Sequence, residues 1–224
     1  MKKLVFLFVF FVIAQGQAQN ILTKKVSDFK ELKVFDKIKV ILIQGEENKI
    51  EISGIKKEKI DIVIKNQVLK IKMSLNNTWD ENNTNVTVFY KELSKIDVNE
   101  GASVTIKGTL KYSDLDLRAQ EGGEIKGTIE SDKLIAKAIT GGGLILDGKV
   151  KEQEVTVKAG GQFISKDLKT ETTQVKISAG GRANVNASKY VKANTNAGGT
   201  IKIYGKPKEI DSQKLFGGKI IEVN

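Results

Sequence analysis

The chain of 224 residues has a formal charge of +10, no histidine, no cysteine and a single proline. Without histidine it lacks the commonest general base and transition-metal ligand; without cysteine it cannot be stapled by disulfides, so an apolar core must hold it together. Its cations are nearly all lysine, with Arg118 and Arg182 the only arginines, a poor endowment for reading nucleic acid, where bidentate contacts favour arginine.

The opening, MKKLVFLFVFFVIAQGQAQN, sets two lysines before an apolar run from Leu4 to Ala14, with the small residues Gly16 and Ala18 after it. This is the pattern of a secretory signal peptide over residues 1–18, and the run is far short of the ~20 residues a spanning helix needs. No cysteine follows, which excludes a lipobox anchor. Cleavage after Ala18 leaves 206 residues with a charge of +8 and no further stretch long enough to span a membrane.

Alternation with period two dominates from Lys30 onward. It places Ile38, Val40 and Leu42 on one face, then Ile60, Ile62 and Ile64, then Val86 and Val88. No helical stripe appears, and Pro207 leaves the strands unbroken. Residues 19–92 read as an N-terminal β portion that caps the rest of the chain, with turns at Gly45 and Gly54 and an asparagine-rich loop over 74–85.

A repeat starts near Lys95, so residues 93–224 form a second region. First glycines fall at Gly101, Gly122, Gly141, Gly160, Gly180, Gly198 and Gly217, at intervals of 18 to 21 residues. Three positions after them stand Val104, Ile125, Leu144, Phe163, Ala183, Ile201 and Ile220, all apolar. Three before stand Val98, Ala119, Ala138, Val157, Ile177, Thr195 and Lys214; five before, Ile96, Leu117, Ala136, Val155, Val175, Ala193 and Ser212. A third column is expected from Leu110, Ile129, Val150, Leu168, Ala187 and Pro207.

Such a period with strand-like alternation predicts an all-β fold: a right-handed parallel β-helix or β-solenoid with coils of about 20 residues and the columns stacked inside. Ala159 and Ala179 are expected to continue the inward stacks. Ala183, Ala187, Ala193 and Ala197 suggest a core narrowing towards the C-terminal end. The glycine pairs read as corners, where positive φ is needed and the next coil comes close. No pair completes a phosphate-loop pattern.

Candidate chemistry is sparse. Asp97, Asp114 and Asp116 form the one acidic patch that a calcium-dependent polysaccharide-degrading enzyme could use, although no arginine cluster or histidine joins it. Glu121 and Glu124 flank a corner. Lys137, Lys158 and Lys176 are the candidate contacts for an acidic glycan, but they are staggered along the coils rather than stacked. Trp79, the only tryptophan, is a candidate sugar platform.

The sequences FKELKVFDKIKVILIQGEENKIEISG, ELSKIDVNEGASVTIKG, SAGGRANV and AGGTIKIYGKP resemble the head GIN domain family of exported bacterial proteins, which are described as auto-transporter adhesins. The resemblance covers essentially the whole mature chain. It implies a β-solenoid exported through a signal peptide and supplies no catalytic residues. Because the sequence stops at Asn224 without amphipathic strands for an outer-membrane barrel, auto-transport is not expected.

The expectation is therefore a non-enzymatic, exported β-solenoid of the cell envelope, in the periplasm, at the outer-membrane surface or outside the cell. It needs no cofactor and no metal. Its partner class is a cell-surface glycan or an envelope protein, not nucleic acid. A lysine-mediated binder of acidic glycans is the alternative, and the calcium-dependent enzyme a further one.

Overall fold

The structure, a computed structural model, describes residues 21–54, 57–74 and 84–223. The signal-peptide segment and Trp79 lie outside the described residues. Among the described residues seventeen strands carry the fold. The first ten are β1 (Leu22–Lys25), β2 (Glu31–Val34), β3 (Lys39–Gln44), β4 (Lys49–Ser53), β5 (Ile60–Lys65), β6 (Val68–Met73), β7 (Asn85–Tyr90), β8 (Lys95–Val98), β9 (Ser103–Lys111) and β10 (Asp114–Gln120). Four long strands come next: β11 (Glu124–Ile139), β12 (Gly143–Lys158), β13 (Gln162–Ser178) and β14 (Arg182–Asn196). The last are β15 (Thr200–Tyr204), β16 (Glu209–Leu215) and β17 (Lys219–Glu222).

These strands wind into a β-solenoid with two parallel ladders. One ladder holds the strands before each glycine corner: β6, β2, β8, β10, the second halves of β11 to β14, and β16. The other holds those after it: β7, β3, β9, the first halves of β11 to β14, β15 and β17. Leu117 faces Ala136, Ala136 faces Val155 and Val155 faces Val175, so a coil takes 19 or 20 residues. Two of the predicted columns run in register through the core, and Val104, Ile125, Leu144, Phe163, Ala183 and Ile201 form the third wall, all fully buried.

The column from Leu110 departs from expectation. Ile129 faces Gly148, which faces Leu168, whereas Val150 faces Ser131 and Thr170, and Thr170 faces Ala187. Ile129 and Gly148 pair in the unbroken β11–β12 register, while shifts between Lys126 and Thr128, Leu144 and Gly148, and Ile164 and Lys169 offset the other coils. At these points the paired strands carry unequal numbers of residues, one against three, three against four and four against one, so one coil bulges relative to its neighbour. Sequence spacing cannot locate them, because an inserted residue on a bent strand leaves the alternation on either side intact.

The corner is tighter than the glycine pattern implies. Ala159, Ala179 and Ala197 are exposed and left-handed, with φ of 46°, 56° and 58°, so none of them continues an inward stack. The residue before each first glycine thus shares its positive φ. At Thr140–Gly141, φ is 48° and 74°, and a Cβ on the next residue, Gly142, would lie 2.0 Å from the carbonyl oxygen of Ala119 in the preceding coil. The first glycine serves the turn; the second makes room for the neighbouring coil.

The described strands before Lys95 join the same stack, in a different order from the sequence. The coil β2–β3 lies between β6–β7 and β8–β9. Its corner has no glycine: Asp36 and Lys37 both take φ of 58°. Val34 nonetheless faces Val98, and Val40 faces Val104, so the apolar frame is that of the later corners. Beyond this end of the stack the pairing turns antiparallel, with β5 on β6, β4 on β7 and β1 on β4. Ile60 of β5 is buried, while Ile62 and Ile64 are half-buried on the outer strand.

Candidate functional site

The corner opposite the glycines, where each coil passes from the second ladder back to the first, carries a groove along the solenoid axis. Its volume is about 640 Å³, and four successive coils line it, at Lys111–Ser113, Glu130–Asp132, Lys149–Lys151 and Lys169–Glu171. Beneath it Thr170 donates to the carbonyl oxygen of Asn186 (2.7 Å) and its hydroxyl meets that of Thr173 (2.8 Å), to which Gln153 Nε2 donates (2.8 Å). All three side chains are buried. These hydrogen bonds tie three successive coils together beneath the groove, while the buried Gln153 Oε1 meets no partner among the described residues.

Charges stack along the groove in two columns. In one, Asp132 pairs with Lys151 at 2.5 Å and Glu171 with Lys189 at 2.6 Å. Lys151 stands between the two acids, and hydrogen bonding to Asp132 holds its pKa above the ordinary lysine range. Lys189 likewise holds Glu171 below the usual carboxylate range. In the other column Lys111, Glu130, Lys149 and Lys169 lie in register. Lys111 pairs with Glu130 at 2.8 Å and lowers its pKa. Parallel coils bring positions about 19 residues apart to ~4.8 Å, which is why distant acids and lysines meet here.

The sequence-predicted sites fare differently. Lys137 and Lys176 share one outward column, separated by Thr156, while Lys158 sits in another between Ile139 and Ser178. Lys176 borders a hollow of about 170 Å³ beside Glu154, Lys192 and Asn194; the three candidates do not converge.

The acidic patch is not a free cluster. Asp116 accepts two bonds from Arg118, from Nε at 2.8 Å and Nη2 at 2.6 Å. Asp97 is nearly buried and accepts from Asn99 and Gln120, each at 3.0 Å. Asp114 accepts from the Ser113 hydroxyl at 2.7 Å. Among the described residues no group of three or more Asp, Glu, His or Cys could hold a metal ion. The sequence offered Asp97, Asp114 and Asp116 as a trio because they recur near one strand start. The register instead interleaves Arg118 with Asp97 and Lys95 with Asp116.

A different acidic row appears at the corners between the first ladder and the second. Asp36, Glu100 and Glu121 take the same corner position in three successive coils. Hydrogen bonding to the Asp36 carboxyl, helped by burial and by Glu121, holds Glu100 above the usual carboxylate range.

The fold and groove together define a β-solenoid with a charged axial cleft. Its sequence matches, over residues 28–207, the family described as "Putative auto-transporter adhesin, head GIN domain", and the chain belongs to that family. No curated protein matches it. It is similar to a solved structure from Bacteroides fragilis NCTC 9343 titled a putative adhesin, with a TM-score of 0.84 at 19% identity, covering 92% of this chain and 98% of that one. Two structures from Parabacteroides distasonis ATCC 8503 are also similar, each with a TM-score of 0.72. One is titled a putative lipid binding protein (18% identity, 93% and 98% covered) and one a putative adhesin (21% identity, 92% and 98% covered). At these identities the likeness establishes the fold alone.

Proposed function

We propose that the chain is a non-enzymatic β-solenoid, exported to the cell envelope, that makes adhesive or ligand contacts through its repetitive surface. The observation that carries this reading is the state of the ionisable groups in the groove. Glu130, Asp132 and Glu171 each bind a lysine of the neighbouring coil. Paired this way, they are matched to display a fixed relief of charge and hydroxyls, not to move protons for a reaction. The family description and two similar structures, each named a putative adhesin, support the same reading. The signal-peptide pattern over residues 1–18 supports export.

The test is to immobilise the exported chain and screen glycans and envelope proteins for saturable binding, assaying bound polysaccharides for cleavage. Binding without turnover is expected. Cleavage of any polysaccharide, abolished by Asp114→Asn, would overturn the reading.

A further inference from the structure

The alternation of charge in the groove breaks at one point. Along the column Lys111, Glu130, Lys149 and Lys169, Glu130 is taken by Lys111, and the next two positions are both lysine in direct register. Lys149 and Lys169 make no ion pair with any described residue, and the position beyond Lys169 is the neutral Asn186. Like charges directly opposed across a ladder destabilise it. The neighbouring column, Asp132, Lys151, Glu171 and Lys189, shows full compensation at the same corner. An anion seated between Lys149 and Lys169 would complete the missing alternation.

The rest of the groove has the chemistry of a sugar site. The half-buried ring of Tyr112, packed on the core, lines its far end. The Ser113 and Ser131 hydroxyls donate their protons to Asp114 and to the carbonyl of Lys133, which leaves their oxygens as acceptors for sugar hydroxyls. From Lys111 to Lys169 the column spans three inter-coil steps, about 14 Å, the length of a short oligosaccharide. Resting on the ligand-contact reading above, we propose that this groove binds a linear acidic glycan, with a carboxylate or sulfate between Lys149 and Lys169 and a ring against Tyr112. The anion site therefore differs from Lys137, Lys158 and Lys176.

The experiment measures binding of the exported chain to hyaluronan, chondroitin sulfate and neutral maltose oligosaccharides by calorimetry, at about 0.01 M and about 0.15 M salt. The acidic oligosaccharides should bind and the neutral one should not. The higher salt should weaken binding about tenfold or more, because screening acts directly on exposed charges. Lys149→Gln/Lys169→Gln should weaken it at least as much, with thermal unfolding no lower than the parent's, while Lys137→Gln/Lys176→Gln should leave it within about twofold. Equal losses in the two double variants would overturn the proposal by showing diffuse attraction to a basic surface. Binding of neutral sugars alone would overturn it while leaving the ligand-contact reading intact. Failure to bind any of these glycans would also overturn it, and the broader screen would then decide the function separately.

Discussion

Val157 and Ile177 are direct partners in adjacent coils and both are fully buried, whereas Lys158, one residue along, points to solvent. A single step along the strand thus reverses the environment. Val157→Asp should fail to fold or aggregate, because an unpaired buried carboxylate costs several kcal/mol against a total stability of about 5–15 kcal/mol. Lys158→Asp should move the urea midpoint by no more than about 0.5 kcal/mol equivalent. Soluble yield and urea unfolding of the two variants check this; equal tolerance would contradict the face assignment.

The two glycines of one corner should respond differently to the same substitution. Gly141 has φ of +74° and open space around the position of a Cβ, so Gly141→Ala pays only for a left-handed backbone, about 1 kcal/mol. At Gly142 the added carbon would lie 2.0 Å from one backbone atom and 2.4 Å from another. Neither can move without shifting the preceding coil, so Gly142→Ala should cost upwards of about 2 kcal/mol. Thermal unfolding of the pair, followed by circular dichroism, would show the order; a larger loss at Gly141 would refute it.

The repeat was legible because a parallel solenoid imposes one environment on the same position of every coil. Phe163 and Ala183 need only be apolar to reveal their shared column. The coil β2–β3 escaped because its corner is built by Asp36 and Lys37, residues that tolerate φ of 58° without announcing it. Its apolar frame, Val34 and Val40, matched Val98 and Val104 in spacing and was the signal available. The groove was hidden for another reason. Lys149 and Lys169 are ordinary surface lysines in sequence, and only the bulge-shifted register makes them neighbours. The signal-peptide reading and Trp79 fall outside the described residues.

Tyr90 gives the stability a dependence on alkaline pH. Its side chain is buried, its hydroxyl meets no hydrogen-bond partner among the described residues, and burial pushes its pKa up to about 12. In the unfolded chain the phenol ionises near ~10. Between those values the unfolded state binds fewer protons than the folded one, so stability falls as pH rises through that window and is unaffected below it. Tyr90→Phe removes this contribution, along with a buried hydroxyl whose desolvation costs about 1–3 kcal/mol. The variant should therefore be at least as stable as the parent at neutral pH and gain on it above pH ~10. Urea midpoints of both proteins across that range provide the check; a constant difference would sink the assignment.

The C-terminal end of the stack is the last place where the core pattern matters. Strands β16 and β17 have no partner on their outer sides among the described residues; they carry the exposed Leu215 and Ile221, and Phe216, 82% exposed, follows β16. Open edges of this kind invite pairing with another chain. Yet the inward columns turn polar here: Ser212 follows Ala193, and Lys214 follows the buried Thr195. A lysine at a core-side position of an edge strand penalises any second copy that would stack upon it, because its ammonium would be buried without a counter-charge. Ser212→Val/Lys214→Val extends both apolar columns into the final coil. The double variant should associate end to end, giving a dimer or larger species in sedimentation velocity at concentrations where the parent sediments more slowly. Restoring the charge alone, with Ser212→Val and Lys214 retained, should bring back the parental behaviour. If instead the double variant sediments as the parent does, the lysine is not what keeps the end of the solenoid apart.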